Sequence, residues 1–152
     1  SLRSTIVVRH QCGRDHLELT TSAYSDSAVS VDVLPFIDDM SAAYQWADLV
    51  ICRAGALTIA ELAVTGTPAV LVPLPHAIDD HQTHNAWALA DAGAALLVPQ
   101  AQLTPEYLAE VIAGIIAEPE RLSVMAQCAL EQAHRDATDQ VVGYMLEVCD
   151  ES

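Results

Sequence analysis

The segment Arg53-Ala54-Gly55-Ala56-Leu57-Thr58 joins a short apolar run to a helix-forming one. Small residues there let the backbone approach a ligand closely. The first N–H groups of a helix are unpaired within it and point outward with the positive end of its dipole, so a phosphate fits such a corner. Glu61 follows Thr58 by three residues. That is the spacing of a capping box, in which Thr58 caps and Glu61 reaches back, and on spacing alone this is the plainer reading. The functional reading makes Glu61 a two-oxygen acceptor for the hydroxyls of a ligand's sugar.

Three further stretches carry polar or aromatic groups. In Pro35-Phe36-Ile37-Asp38-Asp39-Met40, backbone groups of Ile37 are placed to read the edge of a planar base, with Phe36 and Met40 as apolar walls. A hydrophobic staple around an Asp39 helix cap fits the same pattern. Asp38 and Asp39 are neighbours and do not face one another as a general acid and base would, so capping and solvation are their expected roles.

The stretch from His76 to Asn85 holds three histidines and two aspartates. His81 and His84 lack the HExxH arrangement and no nearby Cys completes a tetrahedral set, so no metal is expected. The rival reading takes His81, Gln82 and Asn85 as neutral donors and acceptors for a polyhydroxyl ligand. His10 and Cys12 are too close in sequence to act as a nucleophilic pair, and the expectation is a loop that lines a cleft or packs beneath it. His16 and His134 read as surface residues. Trp46 and Trp87 are expected to pack against the sheet.

The elements that position these residues alternate. Strands are expected over 5–8, 29–34, 49–52, 69–72 and 94–98, short and apolar as strands covered on both faces should be. Helices are expected over 16–23, 40–47 (capped by Asp39), 58–65, 80–92, 120–132 and 137–148. Another opens at Thr104-Pro105, a cap followed by Pro at the first helical position. This order predicts an α/β fold, a parallel sheet with helices on both faces, as one domain. Ligands on such sheets sit beyond the carboxyl ends of the strands, here the loops after Val8, Leu34, Cys52 and Val72. No Gly-rich turn precedes Thr5, so the chain reads as such a fold joined part-way through.

Composition narrows the partners. The 152 residues include 21 acidic and 6 basic ones, for a net charge of −15, and every basic residue is Arg. Such a surface repels phosphates, so no nucleic acid partner is expected. The 52% hydrophobic content is ample for a packed core and excludes disorder. No apolar run approaches the roughly 20 residues of a membrane span, so no transmembrane segment is expected. The four cysteines form no CxxC pair and read as reduced thiols.

Taken in order, Phe36-Ile37-Asp38-Asp39-Met40, Cys52-Arg53-Ala54-Gly55-Ala56-Leu57-Thr58 with Glu61, Gly66-x-Pro68-Ala69, Val72-Pro73, Asp80-His81-Gln82 and Asn85-Ala86 resemble the MurG family. His10-Gln11-Cys12-Gly13 resembles the segment that precedes this block in that family. Each piece alone is weak, whereas the ordered set is specific.

The resemblance implies the C-terminal, donor-binding half of a two-domain GT-B glycosyltransferase, Rossmann-like and without its first strand. Residues 1–152 are then a partial nucleotide-sugar domain. It implies binding of UDP-N-acetylglucosamine, no cofactor, and inverting transfer to lipid I to give lipid II for peptidoglycan, on the cytoplasmic side of the bacterial inner membrane. Ile37 would read the uracil, with Phe36 and Met40 beside it. Ala56, Leu57 and Thr58 would lie against diphosphate and ribose, Glu61 would accept from the ribose hydroxyls, and His81 with Gln82 would hold the amino sugar. This role for Glu61 displaces the capping box. Where some members of the family carry two consecutive Gln, this chain has His81-Gln82.

The family's acceptor-binding N-terminal domain, which would hold lipid I, and its catalytic base candidate are not matched here. No catalytic residue is therefore assigned, and the chain alone is not expected to turn over. Another GT-B UDP-sugar transferase or epimerase, or a non-catalytic binding module, are the alternatives.

Overall fold

A computed structural model describes residues 6–75 and 80–133. Thr5, His76, His134, Cys149 and the helix expected over 137–148 lie outside them. The chain forms two compact units, Ser1–Ala43 and Tyr44–Ser152.

In the first unit, β1 (Val7–Gln11) pairs in parallel with β2 (Ser30–Leu34), joined through α1 (Leu17–Ala23). The expectation ended β1 at Val8, yet it continues through His10 and Gln11. Those residues pair with Val33 and Leu34, and the Cys12 N–H donates to the Leu34 carbonyl at 3.0 Å. Backbone pairing is blind to side-chain polarity, and exposure alternates along the strand, with Val8 and His10 half-buried and Val7, Arg9 and Gln11 exposed. α2 (Met40–Trp46) starts where Asp39 caps it, the Asp39 carboxylate accepting from the Ala42 N–H at 2.8 Å.

The second unit holds a parallel sheet in the order β3 (Val50–Cys52), β4 (Ala69–Leu71), β5 (Ala95–Leu97). Between these strands run α3 (Ala56–Thr65) and α4 (His81–Asp91), and α5 (Pro105–Ala117) and α6 (Pro119–Glu131) follow. The central strand is wholly buried, as a parallel strand covered on both faces must be. Val70 joins Val98 and Ile115 in one cluster, against which Val111 of α5 and Leu122 of α6 pack. Leu71, the next residue along, faces the other way and is equally enclosed.

Thr104 accepts from the Tyr107 N–H ahead of Pro105, as its sequence predicts. α3 ends at Gly66, whose left-handed φ of 67° closes the turn into β4.

Trp46 and Trp87 are about half exposed rather than packed on a sheet. The inward side of α4 is filled by Ala86 and Leu89, which leaves Trp87, adjacent to Ala86, turned away. Ala43 and Tyr44 fill the inward side of α2 in the same way.

Candidate functional site

The corner between β3 and α3 is built as a helix start without a side-chain cap. Gly55 is the N-cap, in an extended conformation with φ −66° and ψ 146°, and no side chain bonds the first-turn N–H groups. The helix begins at Ala56, two residues before the expected start, so Thr58 lies within the first turn and does not cap. Leu57 is 74% exposed and Ala56 is exposed beside it. The backbone donors of Ala56, Leu57 and Thr58 are therefore those that an anion would meet.

Glu61 does not reach back to Thr58. Its Oε2 accepts from the Tyr44 hydroxyl at 3.0 Å, while Thr58 hydrogen-bonds the same phenol. The three side chains form a short relay, Thr58 to Tyr44 to Glu61. Tyr44 is 5% exposed. Burial above all, then the neighbouring Glu61 carboxylate, pushes its phenol well above the ordinary tyrosine range, so it stays protonated and donates. Beside it, the Thr65 hydroxyl donates to the Glu61 carbonyl at 2.7 Å and accepts from the buried Thr67 hydroxyl at 2.8 Å. The Tyr44 carbonyl, 3.3 Å from the Thr67 hydroxyl oxygen, is the alternative acceptor for that single proton. Cys52, at the end of β3, is pushed up to about 11 by burial.

Three side chains brace the loops around the corner. Arg53 donates through Nη1 to the carbonyls of Val72 and Pro73, each at 3.2 Å. Asn85 donates through Nδ2 to the Ala54 carbonyl, also at 3.2 Å. Gln82 accepts through Oε1 from the Leu74 N–H at 2.9 Å. His81 opens α4 and is exposed. Just before it, Asp80 takes a left-handed φ of 51°, and its carboxylate accepts from the Thr83 hydroxyl at 2.7 Å. The loops after β3 and β4 are thus knitted to α4, and the second unit gathers Ala56, Leu57, Thr58 and Glu61 on consecutive turns of one helix.

Phe36, Ile37 and Met40 belong to the first unit. Phe36 is 61% exposed and Met40 is half-buried. The Ile37 N–H, expected to be open to a base, donates to Gln11 Oε1 at 2.8 Å. The extra length of β1 is what brings Gln11 to that position. His10 and Cys12 do not pair. His10 Nδ1 lies 3.1 Å from the Tyr24 hydroxyl, and Cys12 donates weakly to the Gly13 and Leu34 carbonyls. Cys12, Cys52 and Cys128 are free thiols.

Tyr44 is the residue that sequence reasoning passed over, within the helix expected over 40–47. A tyrosine on the inward face of a helix needs a partner for its hydroxyl, and that was the available signal.

Parallel strands, crossover helices and an uncapped helix start beyond a strand's carboxyl end define a Rossmann-like α/β fold, and its likeness to solved structures makes it the C-terminal half of a GT-B glycosyltransferase. It superposes on the crystal structure of Acinetobacter baumannii MurG with a TM-score of 0.87 and 45% identity, over 93% of this chain and 43% of that one. The glycosyltransferase VinC, at 23% identity and a TM-score of 0.68 over 88% of this chain and 33% of that one, shares the fold. The chain belongs to glycosyltransferase family 28, whose C-terminal domain it matches over residues 2–141.

A Chromohalobacter salexigens protein is 57% identical over 140 residues, covering 92% of this chain and 38% of its own length. One from Marinobacter nauticus is 54% identical, covering 92% of this chain and 39% of its own. Both are named UDP-N-acetylglucosamine–N-acetylmuramyl-(pentapeptide) pyrophosphoryl-undecaprenol N-acetylglucosamine transferase. These similarities bear out the resemblance to MurG, and the chain spans about two fifths of the length of those relatives.

Proposed function

We propose that this chain is the donor-binding portion of a transferase that moves N-acetylglucosamine from UDP to lipid I, forming lipid II. The observation that carries the reading is the uncapped start of α3 together with Glu61 of that helix, held by Tyr44 of α2. The first-turn N–H groups of Ala56, Leu57 and Thr58 take the diphosphate, and Glu61 accepts from the ribose hydroxyls. Phe36, Ile37 and Met40 take the uracil, and His81 with Gln82 the amino sugar. The names of the relatives support the same donor and a lipid-linked acceptor.

In the inverting step the C4 hydroxyl of the muramoyl sugar attacks the anomeric carbon while UDP departs. Negative charge grows on the diphosphate as that bond breaks, and fixed N–H dipoles stabilise it without reorganising. The base that removes the hydroxyl proton, and the groups that hold lipid I, are assigned to the N-terminal domain of the family. With a UDP-linked donor and an undecaprenol-linked acceptor, the proposed reaction runs at the cytoplasmic face of a bacterial inner membrane, with the protein peripheral to it. Among the described residues no helix is long and apolar enough to cross a membrane.

Calorimetric titration with UDP-N-acetylglucosamine tests the reading. Glu61→Ala is expected to weaken binding about tenfold or more, as loss of a charged acceptor for two hydroxyls should. Unchanged affinity removes Glu61 from the site. Equal affinity for UDP-glucose counts instead for a transferase of different sugar preference.

A further inference from the structure

We infer that Tyr44 is a positioning residue for ribose recognition: its hydroxyl fixes the Glu61 carboxylate so that the site discriminates ribose from 2′-deoxyribose. The inference rests on the donor-site reading above. A glutamate on a half-exposed helix face has three rotatable bonds, and an unheld carboxylate samples many positions before a ligand arrives. Here Oε2 is occupied by a donor from another helix, 3.0 Å away. The remaining oxygen, Oε1, is left for the ligand.

The holder is itself held. The ring is buried and Thr58 engages its phenol oxygen, while the Thr65 hydroxyl donates to Glu61's own backbone carbonyl. Donor and acceptor are thus each held by neighbours as well as by one another. A donor fixed in this way turns an adaptable carboxylate into a preorganised acceptor, and preorganisation raises affinity by reducing what must be ordered on binding. A site that hydrogen-bonds a hydroxyl discriminates strongly against the analogue without it, provided its acceptor is fixed and cannot turn away.

The role is separable from that of a packing tyrosine. Tyr44→Phe keeps the ring and deletes only the donor. The affinities of UDP and 2′-deoxy-UDP are measured on the full chain for wild type, Tyr44→Phe and Glu61→Gln. Tyr44→Phe is expected to weaken UDP about fivefold to tenfold and to leave 2′-deoxy-UDP within about twofold, the size of one hydrogen bond to a charged group. The ratio of the two affinities is the readout, because a merely structural loss lowers both alike.

An unchanged ratio, or equal weakening of both ligands, overturns the inference while Glu61→Gln still confirms the donor site by its own loss of UDP affinity. If Glu61→Gln binds UDP like wild type, or if wild type binds no UDP, the donor-site reading itself fails and the inference falls with it. Tyr44→Met, a second side chain without a hydroxyl and one that adapts to irregular space, is read identically if the phenylalanine variant does not fold. Failure of both to fold makes the hydroxyl a stability element and overturns the inference.

Discussion

Asn85 donates to the Ala54 carbonyl at 3.2 Å, bridging α4 to a residue that is wholly buried. Without that amide the carbonyl is left unsatisfied away from water. Asn85→Ala is expected to lower stability by about 1–3 kcal/mol, the penalty of an orphaned buried acceptor. A denaturant titration reads this directly, and an unchanged midpoint would show that water reaches the carbonyl.

Gly66 is where α3 and α6 meet. Its φ is +67°, and a Cβ built there lies 2.8 Å from Leu130 Cγ. Gly66→Ala therefore combines a left-handed backbone with a steric overlap, and about 1–3 kcal/mol of destabilisation is expected. Leu130→Ala in the same background relieves the overlap and leaves the backbone strain. Partial recovery of the melting temperature in the double variant checks both contributions.

Gly55 behaves differently. Its backbone is extended, and an added Cβ would meet only Thr58 Oγ1, at 3.7 Å. The protein itself has room for alanine there. Gly55→Ala is expected to change stability by less than about 0.5 kcal/mol, as a strain-free substitution does. If a diphosphate lies against the corner, the new methyl meets the ligand, and UDP affinity falls about tenfold, as for a lost close approach at a glycine turn. A stable variant with undiminished affinity would move the diphosphate elsewhere.

Alkaline pH should destabilise the second unit. Cys52 is pushed up from its ordinary 9.0 to about 11 by burial, and burial raises the Tyr44 phenol too. The unfolded chain releases each proton at the ordinary value, whereas the folded chain holds it longer. Stability from these groups is complete below pH 9.0 and declines as pH climbs toward about 11. Urea midpoints across that window are expected to fall, and less steeply in Cys52→Ala. A flat profile in wild type would contradict the buried environment of both groups.

Much of this fold is visible in the residue pattern because its strands are buried on both faces. Ala69–Leu71 reads as an unbroken apolar run for that reason. His10 and Gln11 look like loop residues, and only the partner strand reveals that their backbone continues the β1 ladder. At the corner, the local spacing of Thr58 and Glu61 pointed to a capping box. The structure separates them by inserting Tyr44, which is 17 residues from Glu61. Local patterns describe near neighbours well. They are silent on a phenol delivered from another helix, and equally on Gln11 Oε1 reaching the Ile37 N–H across 26 residues.

The bond from the Leu74 N–H to Gln82 Oε1 settles which way round that amide sits, since only its oxygen can accept. The two amide N–H groups of Gln82 are thereby turned away from Leu74 and kept as donors, beside the second lone pair of Oε1. On the donor-site reading, that amide meets the acetamido carbonyl of the sugar as a donor while the Glu61 carboxylate meets the ribose diol as an acceptor, so the two ends of the ligand are read by groups of opposite kind.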